Sequence, residues 1–297
     1  MKILVTGCNG LLGQKLVELI SSKPDHHLIA TAKSKLIPIM PRGEFHLLDI
    51  TKPLEVDAII SKTKPEVVIH TAAMTQVDQC ETERETCWLT NVEAVRYLVE
   101  ACKKNKVHLV HVSTDFIFDG SHGPLDENEK PNPLSYYGES KLAAEVVIQK
   151  SDIDWAIVRT VLVYGITQDM SRSNIVLWVK KSLEDKKIIN VVNDQWRTPT
   201  LAEDLAMGCF LAASIKTKGI YNVSGEQMMT PYDIAIATAD YFKLDKSLVK
   251  QTDSTKFTQP AKRPAKTGFI IEKAKRELGY QPHSFIEGLS LVSRQIR

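Results

Sequence analysis

Three glycines stand where an apolar strand must turn directly into a helix, and nothing else in the chain constrains its fold as much. The apolar run Lys2–Thr6 is followed at once by Thr6-Gly7-Cys8-Asn9-Gly10-Leu11-Leu12-Gly13 and then by the amphipathic segment Leu11–Ile20. Glycines allow the tight turn, a close approach of backbone to a ligand, and packing of the helix on the strand. A helix N-terminus adds free N–H groups and partial positive charge. The spacing is GxxGxxG rather than GxGxxG. Its place after a strand and before a helix predicts a dinucleotide pyrophosphate site formed by Gly7, Asn9, Gly10, Leu11, Leu12 and Gly13.

Short apolar runs then alternate with longer amphipathic ones. Lys2–Thr6, His27–Ala32, Phe45–Leu48, Val67–His70, Val107–Ser113 and Asp154–Thr160 read as strands, separated by segments long enough for helices. This predicts an α/β fold, a doubly wound parallel sheet of Rossmann type. A smaller C-terminal substrate-binding lobe is expected beside it, because strict alternation fades after about Thr160. The expected division is residues 1–165 plus 199–223 for the dinucleotide-binding domain, and 166–198 plus 224–297 for the lobe. Thr200-x-x-Glu203 and Thr230-Pro231-x-Asp233 read as capping boxes that start helices. In Thr82–Lys104, the residues Trp88, Val92, Val95, Val99 and Cys102 recur at helical spacing and predict one apolar stripe. That stripe is expected to pack on the sheet, with a homodimer contact through helices 82–104 and 135–150 as the alternative use of this face.

With 297 residues, 43% hydrophobic and 25% charged, the chain can bury a sizeable core. Its 38 basic and 36 acidic side chains leave a formal charge of +2, which supplies no broad footprint for nucleic acid or an anionic membrane. No run approaches the roughly 18 apolar residues of a membrane helix. The N-terminal apolar run is too short for a signal peptide. Five scattered cysteines (Cys8, Cys80, Cys87, Cys102, Cys209) without CxxC spacing fit reduced thiols, so a cytoplasmic location is expected.

The cofactor is read from the end of the second strand. An acid about 20 residues past the glycines would hold the ribose 2′-hydroxyl of NAD. Here Ala32-Lys33-Ser34-Lys35 offers two cations that would attract a 2′-phosphate, which favours NADP(H) over NAD(H). The alternative is two solvated lysines beside a permissive NAD site. Asp49, just past the third strand and next to Ile50, is placed to accept a hydrogen bond from the adenine amino group.

Tyr137-Gly-Glu-Ser-Lys141 sets a phenol and an ammonium one helical turn apart on one face. A nearby cation stabilises a phenolate and lowers the ordinary tyrosine pKa of about 10 toward a range useful for proton transfer. Ser113-Thr114-Asp115 lies at the carboxyl end of the fifth strand, where open α/β sheets bind ligands. Thr114 is therefore expected to hydrogen-bond the carbonyl oxygen that Tyr137 protonates. Tyr136 is a neighbouring phenol, but only Tyr137 has the four-residue spacing to Lys141.

These motifs resemble the extended short-chain dehydrogenase/reductases over nearly the whole chain. The match runs through Thr71-Ala72-Ala73 after the fourth strand, Asn91 in the following helix, Arg159-Thr160 and Val163-Tyr164-Gly165. The resemblance implies that Thr114, Tyr137 and Lys141 are catalytic and that Lys141 also holds the nicotinamide ribose. It further implies that Ile50, Thr71, Ala72, Ala73, Asn91 and Ser113 contact the cofactor.

Within that superfamily the chain is most similar to the dTDP-4-dehydrorhamnose reductases. This likeness is carried by Ala72–Asp78, Ser113–Gly120, Tyr137–Lys141 and Asn193–Thr200. It implies a reductase of a keto group on a nucleotide-linked sugar, with Thr75, Val77, Asp115, Phe116 and Arg159 toward substrate. Gln195, Trp196 and Arg197 would line the same cleft, and Arg263 would contact substrate phosphate, a surface salt bridge being its alternative. Arg197 replaces a family glycine, and is expected either to clash with the sugar or to grip an acidic group.

Phe116 stands where nucleotide-sugar dehydratases carry an acid, and an apolar ring cannot move protons. An epimerase of the same superfamily is the nearer alternative. A different one is a non-catalytic, NADP-binding regulatory subunit: the chain also resembles the β subunit of methionine adenosyltransferase, which carries an Arg before its Phe-Pro-Thr segment. His70, His108 and His111, in or beside strands without ligand spacing, are expected to be satisfied core histidines rather than a metal site.

Overall fold

The computed structural model describes residues 1–35, 39–168, 174–257 and 259–296. In chain order the first half carries β1 (Lys2–Thr6), α1 (Leu11–Ser21), β2 (His27–Ala32), β3 (Glu44–Leu47), α2 (Pro53–Thr63), β4 (Val67–His70) and α3 (Val77–Thr82). It continues with α4 (Arg84–Trp88), α5 (Ala94–Asn105), β5 (His108–Thr114), α6 (Tyr136–Gln149) and β6 (Trp155–Thr160). Then follow β7 (Val163–Tyr164), α7 (Ile175–Glu184), β8 (Ile189–Val192), β9 (Thr200–Leu201), α8 (Ala202–Ser214), β10 (Gly219–Asn222), α9 (Pro231–Tyr241), β11 (Val249–Thr252), α10 (Glu272–Leu278) and α11 (Phe285–Gln295).

Seven strands form one parallel sheet in the order β10-β6-β5-β4-β1-β2-β3. Strand order reverses at β1: β2 and β3 extend to one side, β4 to β6 to the other. Successive residues of β1 feed two separate cores. Ile3 and Val5 pack with Leu16 and Val17 of α1 and Leu205 and Cys209 of α8; Leu4 packs with Ile60 of α2 and Leu98 of α5. Helices therefore cover both faces, which is why these strands read as continuous apolar runs.

Beyond the sheet, α7, α9, β8 and β11 share a smaller core of Val179, Leu183, Val191, Ala235 and Val249. Thr230 caps α9 with a complete capping box to Asp233. The box expected at Thr200 does not form. Helix α8 begins at Ala202 without a side-chain cap, and the Thr200 hydroxyl donates to the Val161 carbonyl at 2.6 Å from within β9.

The stripe expected in 82–104 is present at Val92, Val95, Val99 and Cys102, all buried. The helix bearing it is broken by a π-helical turn at Leu89–Glu93, which leaves Trp88 only half-buried. Among the described residues, no helix is long and apolar enough to cross a membrane.

Candidate active site

A cleft of about 860 Å³ opens at the carboxyl ends of β1, β2, β4 and β5, at the point where strand order reverses. Its floor is the glycine loop. Gly7 has φ +69°, and a Cβ there would stand 2.9 Å from the Ala72 backbone after β4, so only glycine closes the turn. The Gly10 N–H donates to the Gly7 carbonyl at 2.9 Å, and α1 starts without a side-chain cap. Its first-turn N–H groups are thus left for an anion. A dinucleotide pyrophosphate fits this cradle of glycine backbone and uncapped helix.

The second wall carries the residues that would hold an adenosine end. Lys33 lines the cleft and pairs with Asp49 at 3.0 Å, while Asn9 donates to Ser34 at 2.7 Å across the β1 and β2 loops. Asp49 is held below the usual carboxylate range by Thr51 and Lys33, against the opposing effect of burial. Ile50 lies beside it in the lining. Lys35 is exposed and stands outside the lining. Ser34 and Thr51 belong to the site and escaped the sequence reading, although Ser34 stands between the two lysines it singled out.

At the other end, Thr71, Ala72, Ala73, Ser113, Thr114, Tyr137 and Lys141 converge on the same cleft. Gly138 makes this possible, because a Cβ at that position would lie 2.2 Å from the Phe116 carbonyl. Helix α6, capped by Ser135, can therefore press Tyr137 against the loop that follows β5. The Phe116 ring meets Tyr137 edge-on at 5.7 Å.

Burial pushes the Tyr137 phenol above its ordinary value, opposed by a hydrogen bond with Thr114. Burial also lowers Lys141 to about 8, with Glu145 acting in the other direction. The expected acidification of Tyr137 by Lys141 is thus not the dominant effect in this structure; desolvation of the phenol outweighs it. Nζ of Lys141 instead donates to the Val112 carbonyl at 2.8 Å and to Nε2 of His111 at 3.2 Å.

Other predicted residues are placed differently. Asn91 is buried in the π turn, where it holds the loop after β4 rather than lining the cleft. Its side chain accepts from the Met74 N–H at 2.8 Å and donates to the Met74 carbonyl and the Ser140 hydroxyl, each at 3.0 Å. Thr75, Val77, Asp115 and Phe116 line the cleft. Arg159 does not: its guanidinium is buried against Glu145 with two bonds of 3.0 and 2.7 Å.

Arg263 grips Asp78 at the start of α3 at 2.7 Å. Gln195 is half-buried and Trp196 exposed, both outside the lining. Arg197 is buried, donating to the carbonyls of Pro264 at 2.6 Å and Trp196 at 2.7 Å. Leu162, a non-glycine residue at φ 37°, also lines the cleft between β6 and β7, a strained turn with no signal in its residue type.

The three strand histidines are only partly satisfied. His70 Nδ1 takes the Thr6 hydroxyl at 2.7 Å, but Nε2 of His70, Nδ1 of His111 and both nitrogens of His108 lack a partner among the described residues. Burial holds His70 down to about 3 and His108 to about 4, so both are neutral.

The profile of the family described as RmlD substrate binding domain matches residues 1–297. A dTDP-4-dehydrorhamnose reductase of Aggregatibacter actinomycetemcomitans is 31% identical over 303 residues, covering 98% of each chain. Methionine adenosyltransferase 2 subunit beta of Xenopus laevis is 32% identical over 251 residues, 83% of this chain and 73% of that protein. The crystal structure of dTDP-4-dehydrorhamnose reductase from Bacillus anthracis in complex with NADP superposes with a TM-score of 0.84 at 27% identity, covering 99% of both chains.

Proposed function

The chain belongs to the RmlD substrate binding domain family, and from that premise we propose that it is an NADPH-dependent reductase of a keto group on a nucleotide-linked sugar. The observation that carries this is the convergence of Thr114, Tyr137 and Lys141 on the cleft floored by the glycine loop. NADPH, when bound, supplies hydride. Gly7 to Gly13 would hold its pyrophosphate, Lys33, Ser34 and Asn9 its 2′-phosphate end, Asp49 and Ile50 its adenine, and Thr71 to Ala73 its nicotinamide half.

Tyr137 carries its proton at neutral pH, as a phenol ordinarily does and burial reinforces, so it can give the proton that a forming alkoxide needs. Lys141 presents its remaining N–H to the ribose, and Thr114 sets where the carbonyl oxygen lies beside Tyr137. Phe116 offers no proton for dehydration. Residues 1–165 with 199–223 serve as the dinucleotide-binding domain, and 166–198 with 224–297 as the substrate lobe. The enzyme works in the cytoplasm.

A second copy of the chain covers the groove of about 960 Å³ between α5 and α6, lined by Trp88, Tyr97, Leu142 and Val146. Leu89, Leu134 and Val146 are exposed at 38 to 40%, which supports a homodimer through helices 82–104 and 135–150. Light scattering of the purified chain distinguishes dimer from monomer.

The function is tested by following NADPH oxidation with dTDP-4-dehydrorhamnose and a panel of keto-sugar nucleotides. Turnover with one of them is expected. The relatives named methionine adenosyltransferase 2 subunit beta support a second reading, a regulatory NADP-binding subunit. No turnover with any sugar, together with a stable complex with a methionine adenosyltransferase catalytic subunit, decides for it.

A further inference from the structure

Gln14 is buried in the opening turn of α1, outside the lining of the cleft, and its carboxamide joins two arms. Nε2 donates to the Asn9 carbonyl in the glycine loop at 3.0 Å, and Oε1 accepts from the Gln168 N–H at 2.8 Å. A backbone carbonyl only accepts and a backbone N–H only donates, so the amide has one orientation. Among side chains of this length glutamine alone meets both demands. A carboxylate would turn a second acceptor on the Asn9 carbonyl, and a thioether would serve neither group.

Each arm runs on to the loop that follows β2. Asn9 gives its own side-chain amide to the Ser34 hydroxyl at 2.7 Å. The Gln168 side-chain oxygen accepts from the Ile39 N–H at 3.3 Å. Ile39 is 76% exposed and Ser34 is exposed as well, so burial contributes little to holding either of them. Lys33, next to Ser34, pairs with Asp49 at 3.0 Å but leaves its own side chain mostly in solvent. An exposed ammonium by itself discriminates weakly between a phosphate and a hydroxyl. Donors already fixed when the ligand arrives bind it without a further ordering cost.

We infer that Gln14 and Gln168 are specificity-determining residues for the cofactor that act without touching it: they brace the bend at Lys33 and Ser34 against the glycine loop, so that pyrophosphate and 2′-phosphate are met at a fixed spacing. This rests on the reading of Lys33 and Ser34 as the 2′-phosphate end. It gives Gln168, a residue beyond β7 and outside the seven-stranded sheet, a share in choosing NADPH.

Loss of the brace acts unequally on the two cofactors. NADPH and NADH share pyrophosphate, nicotinamide and adenine, and differ at the 2′ position alone. A loosened bend at Ser34 therefore weakens NADPH more than NADH, whereas damage to α1 or to the glycine loop weakens both alike.

Fluorescence titrations of NADPH and NADH on the full chain and its Q14M, Q168A and Q14M/Q168A variants test this. Wild type is expected to prefer NADPH. Q14M, close to glutamine in size, loses both hydrogen bonds and should narrow that preference about fivefold or more, with NADH affinity within about twofold of wild type. Q168A keeps the backbone N–H for Gln14 and loses only the arm to Ile39, so it should narrow the preference less. The Gln168 side chain is exposed and its removal leaves folding intact, which keeps the test open if Q14M does not fold. Without Gln14 the arm to Ile39 is unmoored, so the double variant should match Q14M. A full preference surviving in Q14M or in Q168A, equal losses for both cofactors, or full additivity in the double variant overturns the inference. A wild type that binds NADPH and NADH alike overturns it together with the reading of Lys33 and Ser34, so the two failures are told apart.

Discussion

Nζ of Lys141 lies 3.2 Å from Nε2 of His111, and both side chains are buried. An ammonium has only protons to give, so Nε2 is the acceptor and Nδ1 of His111 carries the ring hydrogen. The Thr6 hydroxyl accepts from the Thr71 N–H at 3.2 Å and the Ala72 N–H at 3.4 Å, which occupies both lone pairs, so its own proton goes to Nδ1 of His70. Two imidazole N–H groups, on rings 5.3 Å apart, therefore stand without partners among the described residues. One buried water accepting from both would satisfy them. With Val112 and His111 taking two protons of Lys141, one remains for the cleft.

Lys141 sets the basic limb of activity. Its ammonium, lowered to about 8 by burial, is present below that pH and lost above it. The kcat/KM of the free enzyme is expected to fall as pH rises through about 8. A profile level to about pH 10 contradicts this assignment.

Removing the acceptor at His111 destabilises the charged form of Lys141. In His111→Leu the basic limb should move down by about one pH unit, whereas His111→Gln, which keeps an acceptor, should move it less. Equal profiles for the two variants would show that the imidazole has no hold on Lys141.

Tyr137→Phe removes the proton donor but little of the buried ring. Turnover should fall by about 10² or more, with NADPH affinity nearly unchanged in a fluorescence titration. Wild-type turnover in this variant would move the acid to another residue.

Arg159→Leu should act on the fold rather than on substrate binding. The variant leaves Glu145, which has no solvent exposure, without its counter-ion. Breaking such a pair costs about 3–5 kcal/mol, to be read from urea denaturation. Unchanged stability with a raised KM would return Arg159 to the substrate.

Lys33→Glu places a carboxylate beside Asp49 at the adenosine end. NADPH affinity should fall by roughly tenfold and NADH affinity by much less, since an exposed charge contributes modestly and acts mainly on the extra phosphate. Thermal shifts at matched cofactor concentrations check this, and equal losses for both would sever Lys33 from the 2′-phosphate.

Most of the sheet was legible in the residues. The six expected strands lie within one residue of the observed ends: β1, β2, β4, β5 and β6 are largely buried and leave short runs rich in Val, Ile, Leu and Ala, while β3 is only partly buried. The helical spacing of Tyr137 to Lys141 was legible as well, and both line the cleft. The π turn was not: Val92, Val95, Val99 and Cys102 are buried as their spacing predicts, so the pattern carries no sign of it, and only Trp88, just before the turn, is half-buried. The misread cap at Thr200 has a similar cause, since the motif carries no information about a carbonyl on a neighbouring strand.

By itself the sequence determined the parallel sheet, the glycine cradle and the approach of a phenol and an amine to one cleft, because periods of two and four residues and glycine turns are local properties. Tertiary structure alone decided which cations belong to the site. Arg159 pairs with a helix 14 residues back, Arg263 with an aspartate 185 residues away, and Arg197 with a carboxylate across the cleft edge. A guanidinium takes its role from the acceptors that surround it, and those arrive from strands and loops distant in the chain.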